Sequence, residues 1–435
     1  MIKYVVLVVL ALVLSVSGAI GISREPDPVG STRPVVSPVL GVDPNAYGAE
    51  AVAALEEQVR RVPGDHRAWA DLGFAYFTEA GVTFDQELYA KADAAIERSL
   101  EIQPDDNVTA LANGSAISAS HHDFVAALEQ ADAALAIAPY DPIALGIRVD
   151  ALTQLGRFRE QMVAVRTADR RQPGVGSASR YSYAVELRGQ LDRARAILMS
   201  GTDSTNRPGL AHLLSHAADL DRRQGGLDAA QEKLDRALEA VPDDPDSLVG
   251  LALLDTARGD LESAVKRWQE IIATTPLPEH YIELGETLDF LGRDDEAQQA
   301  YDDSVTAVET LEQGGANIDL ELALFLADHG AAEEALPLAR AEWARSKGIH
   351  AADAMAWSLH ANGRDREALR YARLATRLGT QEPSLWAHRG IIESGLGRTD
   401  EARRHLRKSI AMDPGESPWQ REQAKIALDA VMAQR

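Results

Sequence analysis

His212 and His216 lie four residues apart, the spacing that places two imidazoles on one helix face as paired zinc ligands. A metalloprotease built on such a pair needs Glu directly after the first histidine to activate water. Here that place is Leu213, which rejects the catalytic version. The two are read as surface histidines of a structural helix, and no metal site is assigned to them. His121 and His122 fall in a turn between helices, where neighbouring residues face different ways, and are read as solvent-exposed. No phosphate-cradling G-x-x-x-x-G-K-[ST] loop, no G-x-G-x-x-G after a strand and no G-x-S-x-G nucleophile elbow occurs. No catalytic residue and no cofactor is therefore assigned.

The elements that carry these residues come from composition and period. The 435 residues hold 44 Lys and Arg against 67 Asp and Glu, a formal charge of −23. A surface so acidic repels phosphate backbones, so nucleic acid is not an expected partner. Cysteine is absent, which removes disulfides, thiolate metal sites and cysteine nucleophiles. With 45% apolar residues but only 5% aromatic, the chain can bury a core of closely packed, alanine-rich helices. Only seven of the basic residues are Lys, a bias that points to a GC-rich bacterial genome.

After Lys3, the stretch Tyr4 to Ile22 carries no charge and includes the unbroken apolar run Val5 to Leu14. It reads as an export signal. Ser17 and Ala19 supply small residues for cleavage, while at 1.5 Å per residue an uncleaved helix would also nearly cross the roughly 30 Å hydrocarbon layer. Residues 1–22 are thus a signal peptide or a signal anchor, and the membrane is expected as a partner only through them. Residues 23–48, with Pro26, Pro28, Pro34, Pro38 and Pro44, read as a linker that stands the folded part away from the membrane or wall.

Two ladders then run through the chain. Gly156, Gly189, Gly225, Gly259, Gly292, Gly330, Gly363 and Gly397 recur at a mean interval of about 34 residues. Five residues after each stands a small or short position, alanine in all but Gln161. Pro104, Pro139, Pro173, Pro242, Pro276 and Pro414 keep the same period, with gaps of one, two or four repeats. The pattern predicts helix pairs: Gly ends the first helix by adopting positive φ, the small residue lets backbones approach, and Pro stops the second helix. One pair cannot bury its own apolar face, so the pairs must stack.

At these residues the sequence resembles the tetratricopeptide repeat, a 34-residue helix-turn-helix. Three stretches carry the match: Trp69, Leu72, Gly73, Tyr76, Ala92, Ile96 and Pro104, with an insertion near Gly81 to Leu88; Leu248, Leu251, Gly259, Ala264, Trp268 and Pro276; and Trp386, Gly390, Gly397, Ala402, Leu406 and Pro414. The resemblance implies an all-α, right-handed α-solenoid of about ten helix pairs over residues 49–416, with 417–435 as a C-terminal capping helix and Ala49 to Arg61 capping the other end. Loops or bends are expected at Gly201 to Gly209 and at Gly314-Gly315. The stretches Asp319 to Gly330 and His350 to Leu369 look like exported or envelope-associated bacterial proteins that consist of a signal, a linker and such repeats only.

The resemblance also implies a concave groove lined by the first helix of each repeat. In the family register, repeat nine presents His350, Asp353, Trp357 and His360 to it, and repeat seven presents Glu279, Ile282, Glu286 and Asp289; Asp150, Glu186 and Asp219 hold similar places earlier. A clamp for chaperone carboxyl tails would need Lys and Asn where repeat one has Ala70 and Phe74, so that partner class is disfavoured. The expected function is a non-enzymatic protein-protein interaction scaffold on the outer side of a bacterial membrane. Glu286, Asp289, His350, Asp353, Trp357 and His360 are its expected contacts to a basic or amphipathic protein or peptide. The alternatives are a metal- or small-ligand-binding protein using the His350 to His360 face, and an assembly factor for a secretion or cell-wall complex.

Overall fold

The computed structural model describes residues 49–433 except 84, 203–204, 314–316 and 413–416. The export segment and the linker lie outside the described residues. Every regular element among the described residues is a helix. Between a first helix α1 (Ala49–Arg61) and a last helix α22 (Pro418–Ala433) stand ten helix pairs. Repeats one to five are α2 (His66–Thr83) with α3 (Gln86–Ile102), α4 (Val108–Ser120) with α5 (Phe124–Ile137), α6 (Pro142–Gln154) with α7 (Phe158–Arg171), α8 (Val175–Glu186) with α9 (Leu191–Ser200), and α10 (Arg207–Arg223) with α11 (Leu227–Ala240). Repeats six to ten are α12 (Pro245–Arg258) with α13 (Leu261–Thr274), α14 (Pro278–Phe290) with α15 (Asp294–Gln313), α16 (Asp319–His329) with α17 (Ala332–Arg345), α18 (Ile349–Ala361) with α19 (Asp365–Ala375), and α20 (Pro383–Gly395) with α21 (Thr399–Ile410).

Local chemistry sets these boundaries. All eight ladder glycines have positive φ, between 65° and 110°, where a side chain is strained. In repeat two the same place is taken by His122, at φ 58°. The residues five positions on are fully packed, none more than 2% exposed, and Gln161 meets this demand by donating its amide to the Thr153 hydroxyl at 2.8 Å. Pro104, Pro139, Pro173, Pro242 and Pro276 each stand two residues past the end of a second helix. Asp123, Asp141, Asp244 and Asp260 cap helix starts by accepting backbone N–H groups. Close approach is real: a Cβ on Gly390 would lie 2.7 Å from Leu406 Cγ.

Three expectations need adjusting. The insertion near Gly81 to Leu88 is mostly absorbed by longer helices, α2 running to Thr83 and α3 starting at Gln86. Gly209 lies in the first turn of α10 and not in the connection before it. His122 is buried at 7% exposure, because its ring packs on Phe124 and faces Glu342 at 3.8 Å.

The stack turns back on itself. Phe158 and Leu187, from repeats three and four, pack in one apolar cluster with Ile349, Ala352, Ala375 and Leu385 from repeats nine and ten. At the other end α22 leans on the middle of the stack, its Trp419 ring 5.0 Å from His329 of repeat eight. The first helices are consequently buried on most sides, α18 and α10 especially, whereas second helices such as α11 and α21 bury one stripe.

Candidate functional site

The inner surface is where the first helices bring charged side chains together. Of the six expected contacts, Glu286, His350 and Asp353 are buried at 3%, 6% and 0% exposure, so they do not face an open groove. Their partners lie within the chain. His350 Nε2 meets Glu382 at 2.8 Å, Asp353 meets His388 Nδ1 at 2.9 Å, and Glu286 lies 3.8 Å from His329. Trp357 stacks on His388, with centroids 4.0 Å apart and planes at 11°, and on His360; its indole N–H donates to Asp328 at 2.6 Å. His360 meets Asp365 at 2.6 Å. Asp289 is half-buried at the end of α14. Glu286, His350, Asp353 and Trp357 thus bond successive repeats, and His360 bonds the second helix of its own repeat.

Earlier repeats follow the same rule. The Arg180 guanidinium donates to both Asp150 oxygens at 2.7–3.0 Å, and Arg223 pairs with Glu186 at 2.5 Å. Glu186 and Glu382 sit near each other across the closure. Burial raises the Glu186 carboxyl, against the opposing pull of Arg223. Burial also pushes Glu382 up, but His350, Arg223 and the Thr380 hydroxyl more than reverse this and hold it at about 2.

Repeats seven and eight differ. Burial raises Glu279, with His280 only partly offsetting it. Glu321 is pushed to about 8 by burial and by the carboxylates of Glu342, Glu279 and Asp319. Burial raises Asp328 to about 6 despite His388 and His329 nearby. All three are half-buried rather than sealed. Glu321 and Asp328 escaped the sequence reading because an acidic residue inside a closed stack has the same helix spacing as one on its surface.

Where the two halves meet, a crevice is lined by Gln154, Phe158, Tyr183, Glu342, Ser346 and His350 among others.

The His212 and His216 pair gains a third group that sequence spacing did not reveal. Asp246, in the first turn of α12, brings Oδ2 to 3.5 Å from His212 Nδ1 and 4.0 Å from His216 Nε2. His212 is buried, which corrects its reading as a surface residue. Burial, then the neighbouring His212, lower His216 to about 4. The missed signal was available: Asp246 stands 34 residues after His212, one repeat on.

Residues 383–416 match the tetratricopeptide repeat family. That stretch carries a tetratricopeptide repeat. The matched repeat is α20 with α21, and the same Gly, small-residue and turn geometry recurs through the other pairs. No curated protein matches the sequence. Among solved structures, the chain is similar to human IFIT1 as a dimer with PPP-AAAA, at 13% identity over 83% of this chain and 86% of that one, TM-score 0.46. It is also similar to a tetratricopeptide repeat protein from Parabacteroides merdae, at 14% identity over 75% and 98%, TM-score 0.35. A third is YrrB, a TPR protein with an unusual peptide-binding site, at 16% identity over 45% and 97%, TM-score 0.31. The tetratricopeptide architecture suggests a protein-protein interaction scaffold. Among the described residues, no helix is long and apolar enough to cross a membrane.

Proposed function

We propose that the protein is a non-enzymatic scaffold, exported across a bacterial membrane by residues 1–22 and either tethered by them or released. It recruits a basic segment of another envelope protein. The observation that carries this reading is the half-buried carboxylate group of repeats seven and eight. Burial raises Glu279, Glu321 and Asp328, and neighbouring carboxylates push Glu321 further up. A Lys- or Arg-bearing segment brought against them favours loss of the proton from these raised carboxyls and pairs with the charge that forms, an attraction that salt weakens. Asp289, at the end of α14, adds to the same field. Because His350, Asp353 and Glu286 are already paired, the partner engages this acidic opening and not the whole inner face.

The test is fluorescence anisotropy of the full-length protein with a labelled Lys/Arg-rich amphipathic peptide and its Glu-substituted counterpart. The basic peptide should bind, weaken steeply between 50 and 300 mM salt, and lose about tenfold in affinity with the Glu279→Gln, Glu321→Gln double variant. Equal binding of both peptides, or no effect of the double variant, overturns the reading. Cell fractionation with N-terminal sequencing tests the export part.

A further inference from the structure

We propose that His212, His216 and Asp246 form a binding site for a divalent transition-metal ion, zinc or one of its neighbours, that ties repeat five to repeat six. The site is independent of the peptide-binding reading. Its column of residues follows from the repeat itself: Ser179, His212 and Asp246 occupy near-equivalent places on the successive first helices α8, α10 and α12, and His216 is one helical turn beyond His212. Stacking the three helices side by side therefore brings their side chains together without any further device.

The geometry is that of ligands, not of hydrogen-bonded neighbours. One ring nitrogen of each histidine and a carboxylate oxygen of Asp246 all lie within 4.8 Å of one another, and Asp246 lies 3.5 Å from His212 Nδ1 and 4.0 Å from His216 Nε2. Neither is a normal N–H···O hydrogen bond, which would be near 2.9 Å. Nitrogen and oxygen atoms that share one tetrahedral ion at about 2.0–2.2 Å stand roughly 3.3–3.6 Å apart, so the His212–Asp246 distance already fits and His216 closes on the ion by rotation of its side chain. His216 Nε2 is buried and has no hydrogen-bond partner. A buried ring nitrogen left so is unfavourable unless something fills the space it faces.

Ser179 decides which nitrogen of His212 is free. Its hydroxyl donates to the Val175 carbonyl at 2.9 Å, so at 3.0 Å it accepts the Nε2–H of His212. Nδ1 is then the His212 nitrogen that faces the Asp246 carboxylate, where a cation would be held by both. An outer hydrogen bond to the remote ring nitrogen is the usual means of fixing a metal-binding histidine. Two imidazoles and one carboxylate suit a borderline ion; magnesium and calcium prefer all-oxygen shells. The Asp246 side chain is 41% exposed, which leaves the outer side of the site open for water to complete the coordination. Such an ion acts as a clip between two repeats.

The experiment uses the full-length protein stripped with a chelator and titrated with CoCl2 in buffer containing excess MgCl2, read by the visible absorption of the bound cobalt ion. One cobalt ion per chain should bind, be displaced by ZnCl2, and raise the melting temperature. Asp246→Asn and His216→Gln should each weaken cobalt binding about tenfold or more, with unchanged circular dichroism. His121→Gln, distant in the chain, should leave it as it was. Because Asp246 is partly exposed, its variant keeps the fold even if His216→Gln does not. Absence of saturable cobalt binding overturns the proposal, as does binding of undiminished affinity in the Asp246→Asn variant.

Discussion

The Lys347 amide donates a 2.6 Å hydrogen bond to the Gln154 carbonyl, joining the end of repeat eight to the last residue of the first helix of repeat three. The Ser346 hydroxyl also reaches Gln154, at 3.2 Å to the carbonyl and 3.1 Å to the side-chain oxygen. A helix end leaves carbonyls without partners. Here a loop far along the chain supplies one, and so latches the two halves of the stack.

The latch runs through ladder glycines, which separates them into two kinds. A Cβ on Gly156 would lie 2.5 Å from the Lys347 carbonyl oxygen and one on Gly189 2.5 Å from that of Gly379, while one on Gly225 meets nothing within 4 Å. Gly225→Ala should cost about 1 kcal/mol, the left-handed penalty alone. Gly156→Ala should cost roughly 3 kcal/mol and enlarge the radius of gyration, as urea unfolding and small-angle scattering would show. Equal losses for the two variants would refute the latch.

Glu321 makes stability depend on pH in the alkaline direction. Its folded pKa, about 8, lies above the ordinary 4.5, so the stability linked to it is complete below about 4.5 and is lost as pH rises through about 8. Glu321→Gln should stabilise the protein by on the order of 2–4 kcal/mol above pH 8 and hardly at all near pH 4. Urea unfolding at both pH values checks this, and a gain independent of pH would contradict it.

Glu382 acts in the acid direction. Burial alone would raise it, but His350 and Arg223 hold it at about 2, so its contribution is present above about 4.5 and disappears as pH falls through about 2. His350→Ala removes one partner of a buried pair and should cost about 3 kcal/mol. The acid-unfolding midpoint, followed by circular dichroism, should move to higher pH. An unmoved midpoint would show that Arg223 alone holds the carboxylate.

Trp357 is among the expected contacts of the groove, a place from which its loss would leave stability nearly unchanged. The ring instead lies between His388 and His360 and bonds Asp328. Trp357→Ala should therefore lower stability by about 3 kcal/mol, visible as a lower melting temperature. A melting temperature within a degree of the parent would restore the anchor role.

The helices and their pairing were legible in the sequence because each rests on a local rule. Gly259 must be glycine to hold φ 79°, Ala264 must be small to let α12 and α13 meet, and Pro276 ends α13 two residues before it. His122 shows the limit of such rules: a histidine in the glycine place looked like an exposed turn residue, yet a remote partner, Glu342, faces it. The candidate sites were half legible. His212 and His216 announce themselves by spacing within one helix, whereas Asp246 and Ser179 join them only by lying one repeat away on each side.

By itself the sequence determined the all-helical architecture, the ten pairs, the turn positions and the acidic character, all of which depend on backbone preference and on contacts between residues close in the repeat. Only the tertiary structure decided that repeats three and four close on repeats nine and ten, and hence that His350, Asp353 and Glu286 are buried partners while Glu279 and Glu321 remain half-open. The physical reason is that closure is the sum of many small rotations between successive repeats. No single residue records that sum, and a charged side chain on a helix has the same spacing whether the surface it faces meets water or another part of the chain.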